Sequence, residues 1–140
     1  MHRNPIPVFV YGTLKPGEAN YQSYCAGKVQ KITRTYTKGQ LFSLPFGYPA
    51  MTSGEVRVEG VLLEFSDPKV LDLLDQLEDY DPQRSLDENE YNRQQITVYQ
   101  LSNEIWGQAW AYLMSPEKVR QFRGVCLPQG CWSGLSRDVN

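Results

Sequence analysis

The 140-residue chain has one histidine and three cysteines, and that scarcity removes several kinds of chemistry. His2 is the sole imidazole. A Ser-His-Asp or Cys-His mechanism would have to rest on a residue at the extreme N-terminus, so neither is expected. Cys25, Cys126 and Cys131 are an odd number, which argues against a disulfide framework and for a reducing compartment. Cys126 and Cys131 lie close enough in sequence to pair under oxidation. No second Cys/His pair completes a zinc site, so no metal is expected. Long apolar runs are missing too. Nothing approaches the ~20 residues needed to span a bilayer, and Met1-His2-Arg3-Asn4-Pro5 lacks the character of a signal peptide. A cytoplasmic protein without membrane association is the expectation.

A basic cluster is also absent. The formal net charge is -2, so the counterion release that drives nucleic-acid binding has no source, and no nucleic-acid partner is expected. Arg3, Lys28, Lys31, Arg34 and Lys38 are dispersed and read as solvated surface. What is present is globular: 41% hydrophobic and 21% charged residues. A chain of this length fits one domain, residues 1–140, that buries roughly two thirds of its unfolded surface. No pattern specifies an obligate interface, so a monomer is expected.

Pro7–Tyr11 is a short apolar run ending at Gly12, and Pro16 and Gly17 prolong the break. Ala19–Ala26 has the length for two helical turns before Gly27. Val29–Leu44 reads as extended, with β-branched residues on both sides. Pro45–Pro49 reads as loop. Gly54–Phe65 reads as strand, with Gly60 a candidate bulge. Ser66 or Asp67 can cap a helix in which Pro68 suits the first turn. Val70, Leu71, Leu73, Leu74 and Leu77 form its apolar stripe. Asp79–Glu90 is polar and loop-like. Arg93–Leu101 and Ile105–Leu113 are strands joined at Ser102-Asn103-Glu104. A short helix follows Ser115-Pro116, and residues 124–140 read as a loop-like tail. The sum is an α+β domain, with periodicity unable to choose between an open sheet and a barrel.

Three features carry candidate chemistry. At Tyr11–Gly17 a strand ends in a glycine turn whose unpaired N–H groups suit an anion, although a plain conformational turn reads the same way. Glu78 falls on the flank of the helix's apolar stripe, with Asp72, Asp75 and Gln76 directed elsewhere. A carboxylate so placed is partly desolvated and suited to proton transfer near neutrality; a fraying helix end that reaches water is the plainer reading. Tyr91 and Arg93 are spaced to share one strand face, where they line a pocket or cover a sheet. Tyr112 as a lone tyrosine reads as core.

Tyr11-Gly12-Thr13-Leu14-x-x-Gly17, Gly47-Tyr48-Pro49-Ala50-Met51, Leu74-Asp75-Gln76-Leu77-Glu78-x-Tyr80 and Tyr91-x-Arg93 occur in this order. Together they resemble the γ-glutamylcyclotransferase superfamily, in its γ-glutamylamine cyclotransferase-like or AIG2-like branch. The resemblance runs from about Val8 to Tyr112. It implies a compact mixed β-barrel with packed helices, no cofactor, and a small-molecule γ-glutamyl substrate. The implied reaction is an intramolecular aminolysis, formally an acyl transfer or lyase step, giving 5-oxoproline and a free amine or amino acid. It implies substrate binding by Tyr11, Gly12, Thr13 and Leu14, acid/base work by Glu78, and pocket lining by Tyr48, Tyr91, Arg93 and Tyr112. A non-catalytic carboxylate-binding module on the same fold is the alternative, as is removal of a γ-glutamyl protecting group in biosynthesis. Asp79 replaces the glycine often found after the glutamate, and its charge would raise the pKa of Glu78 unless it points outward. The polar segment 81–90 is long for the family and suits a lid or an altered leaving-group pocket.

Overall fold

The computed structural model describes residues 5–134; His2 and residues 135–140 of the expected tail lie outside the described residues. Two long strands dominate it. β2 (Val29–Ser43) and β3 (Pro49–Phe65) pair antiparallel along nearly their whole length. At 15 and 17 residues they are roughly three times the usual ~5–6. Such strands bend where the ladder breaks. Gly39 pairs with Val56 but Gln40 pairs with Thr52, so the register shifts there and β3 carries extra residues.

β1 (Ile6–Val10) lies antiparallel to β3 and contacts β5 (Ile105–Leu113) in parallel through Val8 and Trp110. β4 (Asn92–Gln100) pairs with both β5 and β2. The circuit β3–β1–β5–β4–β2–β3 closes a five-stranded barrel. The architecture is thus the expected α+β barrel, with the parallel β1–β5 contact as an addition to the antiparallel plan.

β1 explains why its sequence reads as an unbroken apolar run. Alternate side chains enter different layers. Phe9 and Tyr11 join Leu41, Met51, Val58, Leu62, Val98, Ala109 and Ala111, contributed by all five barrel strands, in one cluster. Val8 and Val10 join Leu63 and Phe65 and meet Val70 and Leu74 of α1 (Val70–Leu77) in the other. Both faces of β1 are therefore covered. The Asp67 carboxylate accepts from the Lys69 amide just ahead of this helix, and Leu74 is fully buried.

Several expectations are corrected. The helix expected over Ala19–Ala26 shrinks to a single turn, Tyr21–Tyr24, which docks Tyr21, Tyr24 and the buried Cys25 on the core but is bounded by the Asn20 amide bonded back to Thr13 and by Gly27 at φ 81°. Pro49 is not loop but the first residue of β3, a position that needs no ladder donor. The bulge is not at Gly60, which pairs regularly with Thr35. The tail is not all loop. β6 (Val125–Cys126) pairs with Ser43 and Phe42 of β2, following α2 (Pro116–Gln121). Beyond it, residues 127–134 form a strap: Leu127 N–H donates to Leu41, Glu59 N–H to Gly130, and Lys15 Nζ to the Trp132 carbonyl. Glu18 accepts from Ser133 Oγ and Gly134 N.

Gly60 is required by packing. A Cβ there would lie 2.5 Å from Phe9 Cζ and from the Val10 carbonyl oxygen. Gly60→Ala is expected to destabilise the protein by about 1–3 kcal/mol through overpacking. Urea denaturation checks it: the midpoint falls with the slope unchanged.

Candidate functional site

The cleft forms where four chain segments meet above the barrel. Tyr11–Leu14 leaves the end of β1, and Glu78 follows α1. Tyr48 and Pro49 open β3, and Glu90 and Tyr91 precede β4. These segments, with Asn20 and Tyr112, line a partly open cavity of about 180 Å³. Glu78 therefore faces the same space as Thr13 and Leu14.

The loop after β1 is held from its far side. Lys15 N–H closes a turn onto the Gly12 carbonyl, and Asn20 brackets Thr13, its amide donating to the carbonyl and its Nδ2 to Oγ1 at 2.9 Å. Among the described residues the amides of Thr13 and Leu14 donate to no protein acceptor. They are unused donors in the lining of a cleft, an arrangement suited to a negative or polarised oxygen. Gly12 does not have a positive φ. Its need is for space, since a Cβ would lie 2.6 Å from Pro49 Cγ. The glycine lets the loop and the start of β3 close on each other.

The tyrosines of the cleft are committed. Tyr11 Oη donates to the Tyr112 carbonyl at 2.6 Å and accepts from Met51 N–H at 3.2 Å. Tyr91 Oη donates to the Pro49 carbonyl at 2.6 Å. Tyr112 Oη donates to Asp75 at 2.7 Å, and Tyr48 Oη to Glu90 at 2.6 Å. Burial is the largest cause raising the pKa of each. Each hydroxyl stays protonated and spends its proton on a protein acceptor, so none is free to move a proton.

Glu78 differs. Its amide completes α1 by donating to Leu74, while among the described residues its carboxylate accepts no hydrogen bond and pairs with no cation. Burial in the cleft, and secondarily the charge of Glu90, push its pKa up to about 8. That is the range in which a carboxyl exchanges protons near neutral pH. Asp79 takes no part. It adopts φ 56°, turns to solvent and pairs with Arg84 at 3.1 Å. The carboxylate that acts on Glu78 is Glu90.

Arg93 does not line the cleft. Its guanidinium lies over Trp110 and Tyr80 and pairs with Asp75 at 3.4 Å. Asp75, expected to point away, turns inward because it has two partners, Arg93 and the Tyr112 hydroxyl. Arg93 thus holds Tyr112 through Asp75, one layer behind the cavity. Sequence reasoning missed Glu90 and Asn20. Glu90 stands next to the Tyr91-x-Arg93 motif, which was the available signal, but it reads as the end of a polar segment. Asn20 carried none.

The segment 81–90 is internally bonded and tied to its neighbours. A 3₁₀ turn at Leu86–Glu88 carries a reciprocal Ser85/Glu88 capping box. The fully buried Asn89 bonds Asp81 through both amide atoms and Asn92 through Nδ2. Lys118 caps the Asp87 and Asn89 carbonyls. Among the described residues no group of three or more His, Cys, Asp or Glu could hold a metal ion, and no helix is long and apolar enough to cross a membrane.

The family model described as gamma-glutamyl cyclotransferase, AIG2-like, matches residues 8–134. A Drosophila melanogaster protein provisionally named a gamma-glutamylcyclotransferase is 35% identical over 124 residues, covering 80% of this chain and 73% of its own. Among solved structures, an AIG2-like protein from Mus musculus superposes with a TM-score of 0.66 at 22% identity, covering 96% of this chain and 92% of that one. YkqA from Bacillus subtilis superposes at 0.63 with 23% identity over 91% of this chain, which spans 39% of that protein. At these identities the two structures speak for the fold.

The raised Glu78 pKa has a stability consequence. Between the ordinary value of 4.5 and about 8 the folded protein binds a proton that the unfolded chain releases, so stability falls as pH rises through that window. Glu78→Gln removes this loss. Its thermal midpoint is expected to exceed that of the parent at pH near 9 and to match it near pH 4, read by calorimetry across pH.

Proposed function

Because the chain belongs to the γ-glutamyl cyclotransferase, AIG2-like family, we propose that its cleft closes γ-glutamyl groups into 5-oxoproline with Glu78 as the acid/base. The observation that carries the reading is a carboxyl that has no protein partner among the described residues, sharing one cavity with the Thr13 and Leu14 amides, which have none among them either. A module that only held a carboxylate would gain nothing from a second carboxylate facing it.

The chemistry needs few groups. Glu78, ionised, takes a proton from the substrate α-ammonium. The freed amine attacks the γ-carbonyl of the same molecule, and a C–N bond forms as the carbonyl oxygen takes up negative charge. Glu78 then returns that proton to the departing nitrogen, the original amide C–N bond breaks, and the ring nitrogen sheds its second proton through Glu78 to the released amine, which leaves as an ammonium. No electrons are gained or lost overall. Holding an intramolecular nucleophile in place is worth effective molarities of ~10⁵–10⁸ M. A donor to the developing oxyanion contributes about 3–4 kcal/mol, the task for which the Thr13 and Leu14 amides are available. The tied phenols of Tyr11, Tyr91 and Tyr112 shape the walls. A monomer acting in the cytoplasm on a small molecule, with no cofactor, fits this chemistry.

Purified protein is expected to release 5-oxoproline from members of a γ-glutamyl amine and dipeptide panel, and Glu78→Gln to lower kcat at least about 10²-fold. Silence across the panel, or full activity in the variant, would sink the proposal. The acidic limb of kcat/KM should fall near the Glu78 value of about 8. Glu90→Gln should move that limb to lower pH, because it removes one of the two causes that raise Glu78.

A further inference from the structure

The core holds the cleft loop only as far as Leu14, which is 4% exposed. The residues after it form a turn, closed by Glu18 N–H donating to the Lys15 carbonyl at 2.9 Å, with Pro16, Gly17 and Ala19 exposed. A turn with so few buried contacts is weakly fixed by its own packing. Yet it begins one residue after Leu14, so the peptide planes that present the Thr13 and Leu14 amides to the cavity depend on where it sits. The strap grips both of its end residues. Lys15 Nζ donates to the Trp132 carbonyl. The Glu18 carboxylate accepts from Ser133 Oγ at 2.7 Å and from Gly134 N–H at 3.0 Å.

The other end of the strap is seated on the barrel. Gly130 takes φ 71°, and its carbonyl accepts from Glu59 N–H at 2.8 Å. A Cβ at Gly130 would run into the Arg57 carbonyl, so strap and β3 meet backbone to backbone. Trp132 packs against the barrel cluster that contains Phe9 and Tyr11. The strap thus joins a rigid wall to an exposed turn. None of its residues lines the cavity, and neither Lys15 nor Glu18 does. Any effect of these groups on chemistry passes through the loop they hold.

We propose that the strap, acting through Glu18 and Lys15, is a positioning element that keeps the Thr13 and Leu14 amides where the substrate oxygen becomes negative. The proposal rests on the cyclotransferase reading of the cleft. Glu18 and Lys15 are positioning residues, outside the set that touches substrate. Donors of this kind act only when fixed in advance, and a displacement of about 1 Å costs up to about 10²-fold in rate. The aid grows as charge develops on the oxygen, so its loss falls on kcat rather than on KM.

The test uses the full chain and a γ-glutamyl compound that the parent turns over, at a temperature well below the thermal midpoint of each variant. Glu18→Ala removes both carboxylate contacts and should lower kcat about ten- to hundredfold with KM within about threefold. Glu18→Gln keeps an oxygen for Gly134 N–H and offers Nε2 to Ser133 Oγ, so it should restore kcat to within about threefold of the parent. Lys15→Met removes the other grip and should lower kcat in the same sense. Amide ¹⁵N relaxation reads the hold without turnover. Order parameters of Thr13 and Leu14 should be about 0.85 in the parent and in Glu18→Gln, and below about 0.6 in Glu18→Ala. Full kcat in both Glu18→Ala and Lys15→Met, a loss confined to KM, or an equal loss in Glu18→Gln overturns the positioning role and leaves the reaction standing. Unchanged order parameters in Glu18→Ala overturn it whatever the turnover. Amides that loosen in Glu18→Ala but not in Glu18→Gln, in a protein that turns over no γ-glutamyl compound, support the hold and overturn the reaction.

Discussion

The Tyr11 hydroxyl, held between the Tyr112 carbonyl and the Met51 amide, is the interaction on which the arrangement of the site depends. One buried oxygen joins the end of β1 to β5 and β3. It does so at the residue where β1 stops being a strand and becomes the cleft loop. Neutral and deeply buried, it contributes a donor and an acceptor where either left unmatched would cost about 1–3 kcal/mol. The amides of Thr13 and Leu14, two and three residues on, take their position from that anchor on one side and from Asn20 on the other.

The polar groups of the cleft divide into those that are satisfied and those that are not. The phenols of Tyr11, Tyr48, Tyr91 and Tyr112 each have a protein acceptor. Among the described residues Glu78 and the amides of Thr13 and Leu14 have no protein partner. Protein interiors satisfy their polar groups as a rule, and exceptions cluster where a ligand completes the set. The fold holds its exceptions together with rigid neighbours: Asp75 and Arg93 behind Tyr112, and the stitched segment 81–90 behind Glu90.

Much of this was legible in the sequence wherever one periodicity ruled. The apolar stripe of α1, the β4–β5 hairpin and the β-branched run of β2 follow local rules that tertiary contacts only extend. Glu78 was legible as a flank residue, and its environment follows from that flank facing a cavity. Asp75 was not, because its direction is decided by Arg93 and Tyr112, both distant in sequence. Glu90 was hidden by composition, since a polar segment reads as solvated whether or not its last residue turns inward. β6 escaped because a two-residue strand carries no period; its place is set by the edge of β2.

The strap over residues 127–134 has a consequence for the order of events in folding. Lys15 and Glu18, just past the cleft loop, take their partners from Trp132, Ser133 and Gly134, more than a hundred residues later. The barrel's own closure reaches as far, from Val8 to Trp110, and once it is made the strap has only a short loop left to close. A nascent chain on the ribosome therefore presents β1 and its turn long before anything can fasten that turn from behind. The barrel can close while the turn after β1 is still unfastened from behind, and that turn is fastened only when residues 132–134 dock on Lys15 and Glu18.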